Sequence, residues 1–378
     1  MIKKIFSFSV LLLFLFAVLI FSVSAVEISA KSAVVIDAST NEIIFQKNAF
    51  EKRSMASTTK IMTAILAIES GKLNDVVTVT DRMVHAEGTS VGLRAGYKIT
   101  LYDLVYGMML ESGNDAANAV AIYLAESLEN FARLMNLKAE EIGMKSSNFV
   151  TPSGLDDEGH YSTAFDMAVL ASYCVKNPIF KSVCSSKKYK SELFSPDNYR
   201  LYFSNHNRLL SSIEGVFGVK TGFTKKSGRC LVSAIERNGA VLVAVTLFAP
   251  DDWNDHRTLY SACLKKFASE DIEVEFPNRI AVVGGTKSFV GIRCEKVSVV
   301  ISTLNSGKVI QKVFLPRFVY APIKANDFLG KVNFYSGDYV IKTVSLFAAE
   351  AVESEKETYV SKKSLIEKIK DKIKCLFE

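Results

Sequence analysis

The amino-acid sequence predicts an α+β domain followed by a small all-β domain. Hairpin patterns lie near both ends of the first 271 residues, and the patterns between them are mostly helical, which indicates a sheet with an inserted helical block. From residue 272 onward, short β-rich runs separated by turn signals replace the helical patterns. With 378 residues, 49% of them hydrophobic, the chain can bury more than one core. We therefore expect domains at 26–271 and 272–351.

The two hairpins of the first domain are predicted from their turns. Residues 33–36 and 43–45 are β-rich and flank a turn of Asp, Ser, Thr and Asn. Residues 230–235 and 241–247 flank Asn238-Gly239, a dipeptide typical of a type I′ turn. Both pairs should contribute antiparallel strands to the sheet.

The helical block is predicted from apolar spacing and from end signals. Residues 57–70 carry apolar side chains at helical spacing, and Gly71 can end that helix. Thr100 to Asp103 resembles a capping box that opens another helix, and helices at 116–126 and 128–142 follow.

The all-β domain is predicted from five runs rich in branched and aromatic residues. Gly, Asn and Asp turn signals separate them, and none of them carries a nucleophile or a metal-binding cluster. The runs are 280–283, 296–302, 308–315, 331–335 and 339–346.

The first 25 residues predict export. Lys3 and Lys4 precede a long apolar run, and Val23-Ser24-Ala25 provides a small-residue cleavage site, as in a secretory signal peptide. The run is also long enough to remain as an uncleaved anchor. Under either interpretation the rest of the chain is exported.

The C-terminal segment predicts a peripheral membrane anchor. Residues 352–363 form a polar linker, and 364–378 place apolar side chains on one helical arc with lysines outside it. The alternatives are a helix packed on its own protein and a dimer seam. We expect an exported protein held at the outer face of the cytoplasmic membrane by this helix.

Charge and cysteine content exclude several classes. The formal net charge of +6 falls by two when Lys3 and Lys4 leave with the leader, so nucleic acid is not an expected partner. The six cysteines lack metal-ligand spacing and suit small buried hydrophobes, although a Cys174–Cys184 disulfide is possible. We predict no metal and no cofactor.

Three short motifs supply the groups for acyl transfer through a serine ester. In the first, Ser57-Thr58-Thr59-Lys60, the amine of Lys60 shares a helical face with Ser57 at a helix N-terminus. Burial or a second cation, for which Lys220 is the natural candidate, would lower the lysine pKa enough for a general base. Alone, this spacing fits a helix cap with a solvated lysine.

The other two motifs supply a relay and a clamp. Ser112-Gly113-Asn114 offers a hydroxyl that can relay a proton and an amide that can contact substrate or orient Lys60. Lys220-Thr221-Gly222 offers a cation and a hydroxyl for a carboxylate, with a glycine that lets a ligand approach the strand. Each tripeptide alone fits an ordinary turn or strand end.

The motifs in this order resemble the penicillin-recognising serine acyltransferases, which include penicillin-binding proteins and class A β-lactamases. The chain is most similar to the low-molecular-mass D-alanyl-D-alanine carboxypeptidases. The similarity is carried by MASTTKIMTA, LRAGYKITLYDLVYGMMLESGNDAANAVA, GLDDEGHYSTAFDMA, GVKTGFT and PIKANDFLGKVNFY. It implies a transpeptidase-like domain with an antiparallel sheet, helices on both faces and a helical subdomain. The all-β segment and the amphipathic tail resemble the family's second domain and anchor.

The resemblance also implies roles. Ser57 would be the acylated nucleophile, Lys60 the general base and Ser112 the proton relay. The substrate-binding groups would be Asn114, Lys220, Thr221, Gly222, Phe223 and Arg257. The backbone N–H groups of Ser57 and Phe223 would form the oxyanion hole, Phe223 standing where some members carry His. The substrate would be a peptidoglycan pentapeptide, and β-lactams would inhibit.

Three other functions stay open. A class A β-lactamase needs an extra Glu to activate water, and Glu158 is the only nearby candidate. A non-catalytic wall-binding protein of the same fold, and an endopeptidase side activity, would share these residues. A Ser-His-Asp hydrolase is disfavoured because no Gly-x-Ser-x-Gly elbow surrounds Ser57, so we expect all histidines to be non-catalytic. These are His85, His160, His206 and His256. Asp166 is interpreted as structural, in a capping box with Thr163.

Overall fold

A computed structural model describes residues 26–192, 200–302, 309–355 and 369–370. The predicted signal peptide, 1–25, and nearly all of the predicted anchor, 364–378, lie outside these ranges. Among the described residues, none of the helices combines the length and the apolar character needed to span a bilayer.

The chain divides into two compact units. The described residues up to Glu270, with 299–302, form the first unit, and 271–298 with those from 309 onward form the second. The helices are α1 (Lys60–Glu69), α2 (Asp81–Val84), α3 (Leu101–Leu110), α4 (Asn114–Ala125), α5 (Leu128–Glu141), α6 (Ala164–Val175), α7 (Pro178–Ser185), α8 (Leu209–Ser212) and α9 (Asp252–Cys263), with 3₁₀ turns at Ala56–Thr59 and Leu264–Lys266.

Strands occur in both units. They are β1 (Ser32–Asp37), β2 (Ile43–Lys47), β3 (Val76–Thr78), β4 (Lys98–Thr100), β5 (Lys188–Lys190), β6 (Tyr202–Ser204), β7 (Val216–Thr224), β8 (Gly228–Arg237), β9 (Ala240–Leu247), β10 (Phe267–Ile272), β11 (Arg279–Val283), β12 (Phe289–Arg293), β13 (Val297–Ser302), β14 (Ile310–Phe314), β15 (Phe318–Tyr320), β16 (Phe328–Ser336) and β17 (Tyr339–Ala348).

The first unit is built on a five-stranded antiparallel sheet in the order β2-β1-β9-β8-β7. Both predicted hairpins are confirmed as β1–β2 and β8–β9. Asn238 and Gly239 both have positive φ, as a type I′ turn requires. Because β1 and β9 are adjacent, the N-terminal hairpin and the later hairpin join into one sheet, and β7 forms its edge.

The helical block lies between β2 and β7 in sequence. Its helices pack against one another and against the sheet, mainly through α1, α3, α4 and α6. Helix α1 is almost entirely buried, since eight of its ten residues belong to the core. The predicted caps are confirmed: Thr100 Oγ1 accepts from the Asp103 backbone N–H, and Thr163 Oγ1 accepts from that of Asp166. Because α1 is buried in the core, it holds in place the 3₁₀ turn that directly precedes it.

The second unit contains a six-stranded sheet in the order β14-β16-β17-β12-β11-β15. Its pairs are antiparallel except β11 with β15, which is parallel. The five β-rich runs predicted from sequence each contain a strand. The strands β12 and β15 were not predicted. Both are short and show no clear alternation between apolar and polar residues.

The described cysteines are free thiols. They are Cys174, Cys184, Cys230, Cys263 and Cys294. Burial raises the pKa of Cys174 and Cys230, so both remain protonated and behave as the small apolar side chains that the sequence indicated. The possible Cys174–Cys184 disulfide is absent from this structure.

Candidate active site

Ser57 and Lys60 lie side by side at the start of α1. Ser57 is in the 3₁₀ turn Ala56–Thr59 and Lys60 is the first residue of the helix. The Lys60 Nζ is 2.9 Å from the Ser57 Oγ. Ala56, just before the serine, has a φ of +48°, an unfavourable backbone conformation for an L-residue that the surrounding structure must hold in place.

Three oxygens surround the amine of Lys60. Besides Ser57, it contacts the Asn114 Oδ1 at 2.7 Å and the Ser153 carbonyl oxygen at 2.6 Å. The Asn114 amide orientation is fixed because its Nδ2 donates to the Glu87 carbonyl. Both oxygens can only accept, so a neutral amine would give its two N–H groups to them. Its lone pair would then face the Ser57 hydroxyl.

The environment favours that neutral amine. The Lys60 side chain is fully buried, and burial lowers its pKa well below the usual lysine range. The charge of Lys220 lowers this pKa further, while Asp115 acts in the opposite direction. The sequence hypothesis that burial and Lys220 would depress the Lys60 pKa therefore agrees with the structure.

Lys220 is the second buried amine. It lies in β7 and is 2% exposed, and burial lowers its pKa to about 7, against the opposing charge of Glu111. Its Nζ donates to the Thr221 carbonyl oxygen at 3.1 Å. Near neutral pH this side chain can therefore exchange a proton or carry a charge toward an anion.

Gly222 allows β7 to pack against the serine-bearing turn. A Cβ at this position would lie 3.1 Å from the backbone nitrogens of both Ser57 and Thr58. That distance is tighter than ordinary van der Waals contact. Glycine at this position therefore leaves space beside the Ser57 N–H, whereas a side chain would crowd it.

Ser57 and Gly222 open onto a cleft of about 490 Å³. Its lining includes predicted residues from all three motifs, which the fold therefore brings together: Ser57, Ser112, Thr221, Gly222 and Phe223. Ser112 precedes α4 with a φ of +66°, a second strained backbone at the site. Phe223 is 65% exposed, and the role predicted for it requires only its backbone N–H.

Lys60, Asn114 and Lys220 are buried and do not themselves line the cavity, but each contacts a residue that does. Arg257 differs from them. It is exposed on α9 and is not among the described residues that line the cavity. Arg229, on β8 opposite Phe223, lines the cavity instead. Its guanidinium is 2.8–2.9 Å from the Asp252 Oδ1 and stacks over Trp253. The sequence analysis missed Arg229, although hairpin register could have placed it.

Asp115 fixes one wall of the site. Its carboxylate accepts hydrogen bonds from the Ser90 hydroxyl and from the backbone N–H groups of Val91, Gly92 and Leu93. The backbone N–H of Asn114 donates to the Thr89 carbonyl, and Thr89 lines the cleft. The residue after the second motif thus anchors the loop that faces Ser57.

His160 fixes the other wall. Its Nδ1 accepts from the Val150 N–H at 2.9 Å, so its Nε2–H donates to the Thr59 Oγ1 at 2.8 Å. Burial lowers the His160 pKa to about 4, which keeps the ring neutral. The ring thereby ties the segment that carries the Ser153 carbonyl to the turn that carries Ser57.

The other histidines lie in different environments. His256 is buried between Ser233 and Thr246, and burial lowers its pKa to about 3. His206 lines the cleft and lies 3.1 Å from the Glu111 carboxylate. His85 is near the surface. Within the described ranges, no cluster of His, Cys, Asp or Glu could hold a metal ion.

Comparison with known proteins identifies the family. The family described as D-alanyl-D-alanine carboxypeptidase matches residues 20–251, more than half of the chain, and the penicillin-binding protein 5 C-terminal domain matches 264–354. The chain belongs to the D-alanyl-D-alanine carboxypeptidase family. The resemblance proposed from the three motifs and the flanking segments is confirmed.

Individual members of the family differ in how much of their length is matched. DacF of Bacillus subtilis is 34% identical over 56% of this chain, but the match spans only 55% of DacF. DacC of Escherichia coli is 30% identical over 83% of this chain and 82% of its own length. The crystal structure of DacD from Francisella tularensis has a TM-score of 0.61, with 25% identity, over 87% of this chain and 95% of that one. The predicted fold class, an α+β domain followed by an all-β domain, is confirmed. The C-terminal amphipathic helix stays a prediction.

Proposed function

We propose that this protein is a serine D-alanyl-D-alanine carboxypeptidase that removes the terminal D-alanine from peptidoglycan stem peptides. One observation carries the proposal: Ser57 Oγ lies 2.9 Å from the amine of a fully buried lysine. The other two contacts of that amine go to oxygens that only accept. This arrangement leaves a lone pair to take the serine proton.

Acylation would proceed with Ser57 as nucleophile and Lys60 as base. The Ser57 proton passes to the Lys60 Nζ as the Oγ bonds to the carbonyl carbon of the penultimate D-alanine. The oxyanion is stabilised by the backbone N–H groups of Ser57 and Phe223. When the peptide C–N bond breaks, the proton on Lys60 passes through the Ser112 hydroxyl to the leaving amine, and free D-alanine departs.

Deacylation would use the same base. A water molecule gives a proton to Lys60 as its oxygen attacks the ester carbonyl. Collapse of that intermediate breaks the ester bond and returns the proton to the Ser57 oxygen. The products are the free serine and a stem peptide shortened by one residue.

Substrate binding would rely on the free carboxylate of the terminal D-alanine. Lys220 and Thr221 would bind it by charge-assisted and hydroxyl hydrogen bonds, and Asn114 would contact the peptide while it orients Lys60. Arg229, rather than Arg257, is the arginine of the proposed carboxylate site because it lines the cleft beside Phe223. β-Lactams would acylate Ser57 in the same manner.

The β-lactamase alternative has less support. Glu158, the candidate for activating a deacylating water, is exposed and is not one of the described residues lining the cleft, which does not favour that role. Endopeptidase activity would use the same groups on a cross-linked peptide. The intact Ser57–Lys60 pair disfavours a purely non-catalytic wall-binding protein.

The cellular location follows from the two ends of the sequence. We propose export directed by 1–25 and peripheral attachment to the outer face of the cytoplasmic membrane through 364–378. The expected partners are the pentapeptide substrate, β-lactam inhibitors and the membrane surface.

Mass spectrometry after penicillin treatment tests the proposed activity. We expect a covalent adduct on the peptide that contains Ser57, with slow release, and D-alanine release from a pentapeptide. Ser57→Ala should lose both, whereas the control Ser54→Ala should keep both because that hydroxyl bonds Asp156 at the surface. An adduct on another residue would refute the assignment, and rapid penicillin turnover would favour a β-lactamase.

A further inference from the structure

The outward face of the six-stranded sheet in the second unit is aromatic. Alternation places one set of side chains in the core, including Val290, Val332 and Leu346, and the other set in solvent. Five of the outward rings are 45–69% exposed: Phe289, Phe314, Phe318, Tyr320 and Phe328. Exposed apolar side chains that lie together on one face mark an interaction site.

Strand register shows that these rings share one face. Ala281 pairs with both Phe289 on β12 and Phe318 on β15, which aligns two rings across three strands. Phe328 pairs with Phe347 across β16 and β17, with ring centroids 6.4 Å apart. The face therefore extends across the sheet from its β15 edge.

Four cations are interleaved with the rings. Arg279 lies over Phe289 and Arg293 over Phe347. Lys331 lies over Phe314, and Lys312 lies over Tyr335. Among the described strand positions that share this face there is no Asp or Glu. We name this surface, with its rings and these four cations, the aromatic–basic face.

The composition of the aromatic–basic face favours a lipid surface over a sugar or a protein partner. A sugar-binding platform needs acceptors for hydroxyl groups, but the amide of this face, Asn333, is buried and bonded to Thr343 and Tyr335. Most of the exposed rings are Phe, which have no polar tip. Rings that enter the headgroup region beside cations that bind anionic headgroups are typical of interfacial membrane surfaces.

We propose that the aromatic–basic face binds the surface of an anionic phospholipid bilayer. The cations would bind lipid phosphates, while the rings enter the boundary between headgroups and acyl chains. This contact involves the second unit alone. It depends neither on catalysis at Ser57 nor on the segment 364–378, so its failure would leave the proposed function untouched.

A tryptophan reporter tests the contact directly. The chain has a single tryptophan, Trp253, so Phe318→Trp in the full-length protein adds one new emission signal to a known background. With vesicles containing about 30% phosphatidylglycerol in phosphatidylcholine, we expect a blue shift and quenching by brominated lipid. If the protein binds the vesicles and the new tryptophan stays water-exposed, the membrane contact lies elsewhere and the proposal is overturned.

Charge variants provide the second test. Arg293→Gln with Lys331→Gln should weaken co-sedimentation with the same vesicles by tenfold or more, because each surface cation contributes roughly fivefold to such binding. The matched control, Lys98→Gln with Lys188→Gln, removes two exposed lysines from the first unit and should bind unchanged. Phosphatidylcholine alone should bind all three proteins weakly.

Two results would contradict the lipid assignment. Equal losses in the face variant and the control would show a general charge effect. Binding to isolated peptidoglycan that the face variant loses, with unchanged vesicle binding, would assign the surface to wall polymer instead. All four substituted side chains are exposed, so circular dichroism and the unfolding temperature should be unchanged in both variants.

Discussion

Cationic side chains occupy opposite environments in the two units. In the first unit, Lys60 and Lys220 are buried, and their pKa values are depressed. In the second unit, Arg293 and Lys331 are exposed and lie over aromatic rings. Similar cationic groups therefore serve two purposes: burial lowers the pKa of a lysine so that it can act as a base, whereas the cations of the second unit are available for contacts at the surface.

Only in the first unit does the placement of these cations carry an unfavourable free energy of burial. Burying an amine is unfavourable unless it becomes neutral or finds partners, and Lys60 does both. An exposed arginine or lysine carries little such penalty. Changes to the buried pair should therefore alter chemistry, pH dependence and stability together, while changes to the exposed set should alter binding alone.

Loss of the Lys60 amine should produce the largest effect. Lys60→Ala removes the proposed base, so acylation by a fluorescent penicillin should slow by about 10⁴-fold, as is usual for groups that act as one catalytic unit. Stopped-flow labelling measures this rate. Lys72→Ala, which removes an exposed lysine after α1, is the control. A loss of less than tenfold would show that another group takes the serine proton.

Loss of the Lys220 charge should act on binding and on pH dependence. Lys220→Gln should raise KM for a peptide with a free C-terminus by about 100-fold, because a buried charge-assisted contact is lost. The charge of Lys220 lowers the Lys60 pKa, so its loss should raise that pKa. The acid limb of the pH–rate profile for acylation should therefore move to higher pH. A peptide with an amidated C-terminus serves as control and should show little change in KM. An unmoved acid limb would refute the coupling of the two amines.

Loss of the His160 contacts should have a smaller effect and slow acylation by about tenfold. The reason is that the Ser153 carbonyl, which accepts from Lys60, would be misplaced. His160→Leu removes both ring hydrogen bonds, whereas His160→Gln retains one acceptor and one donor. We expect Gln to restore the rate and Leu to shift the acid limb upward as water reaches Lys60. Equal rates in both variants at equal unfolding temperature would assign His160 a packing role only.

Removal of the buried Lys220 amine should also change stability with pH. Its folded pKa of about 7 lies below its value of about 10.4 when unfolded, so between these values the unfolded chain binds more protons and stability rises with pH. Lys220→Met should unfold roughly 5 °C higher than the unmodified protein at pH 6, and the gap should close toward pH 10. For Arg293→Gln, the difference in unfolding temperature from the unmodified protein should not change between pH 6 and pH 10. If the difference closes with pH in both variants, the contrast between the two units is wrong.

The sequence predicted the parts of the molecule that depend on local patterns. Ser57 and Lys60 are three residues apart, so a helical turn alone brings them together. The Asn238-Gly239 turn specifies its hairpin in the same way. These local rules predicted the two hairpins and the helix caps.

The remaining parts depend on long-range contacts or on the backbone. The Ser153 carbonyl carries no side-chain signature, and the loop that holds it reaches Lys60 from 93 residues away. Arg257 was chosen from the family resemblance and Arg229 was not considered, although the pairing of β7 with β8 places Arg229 beside Phe223. The contacts of His160 likewise depend on a turn that it meets only in the folded chain.

The close approach of Gly222 to Ser57 limits where substitutions that confer resistance to β-lactams could arise. Any side chain added there would crowd the Ser57 amide nitrogen that lies 3.1 Å from the position of its Cβ. That amide is the group that both a penicillin and the natural peptide would need. Selection for resistance at this position would therefore sacrifice the enzyme's own turnover, and escape variants should arise elsewhere along the cavity.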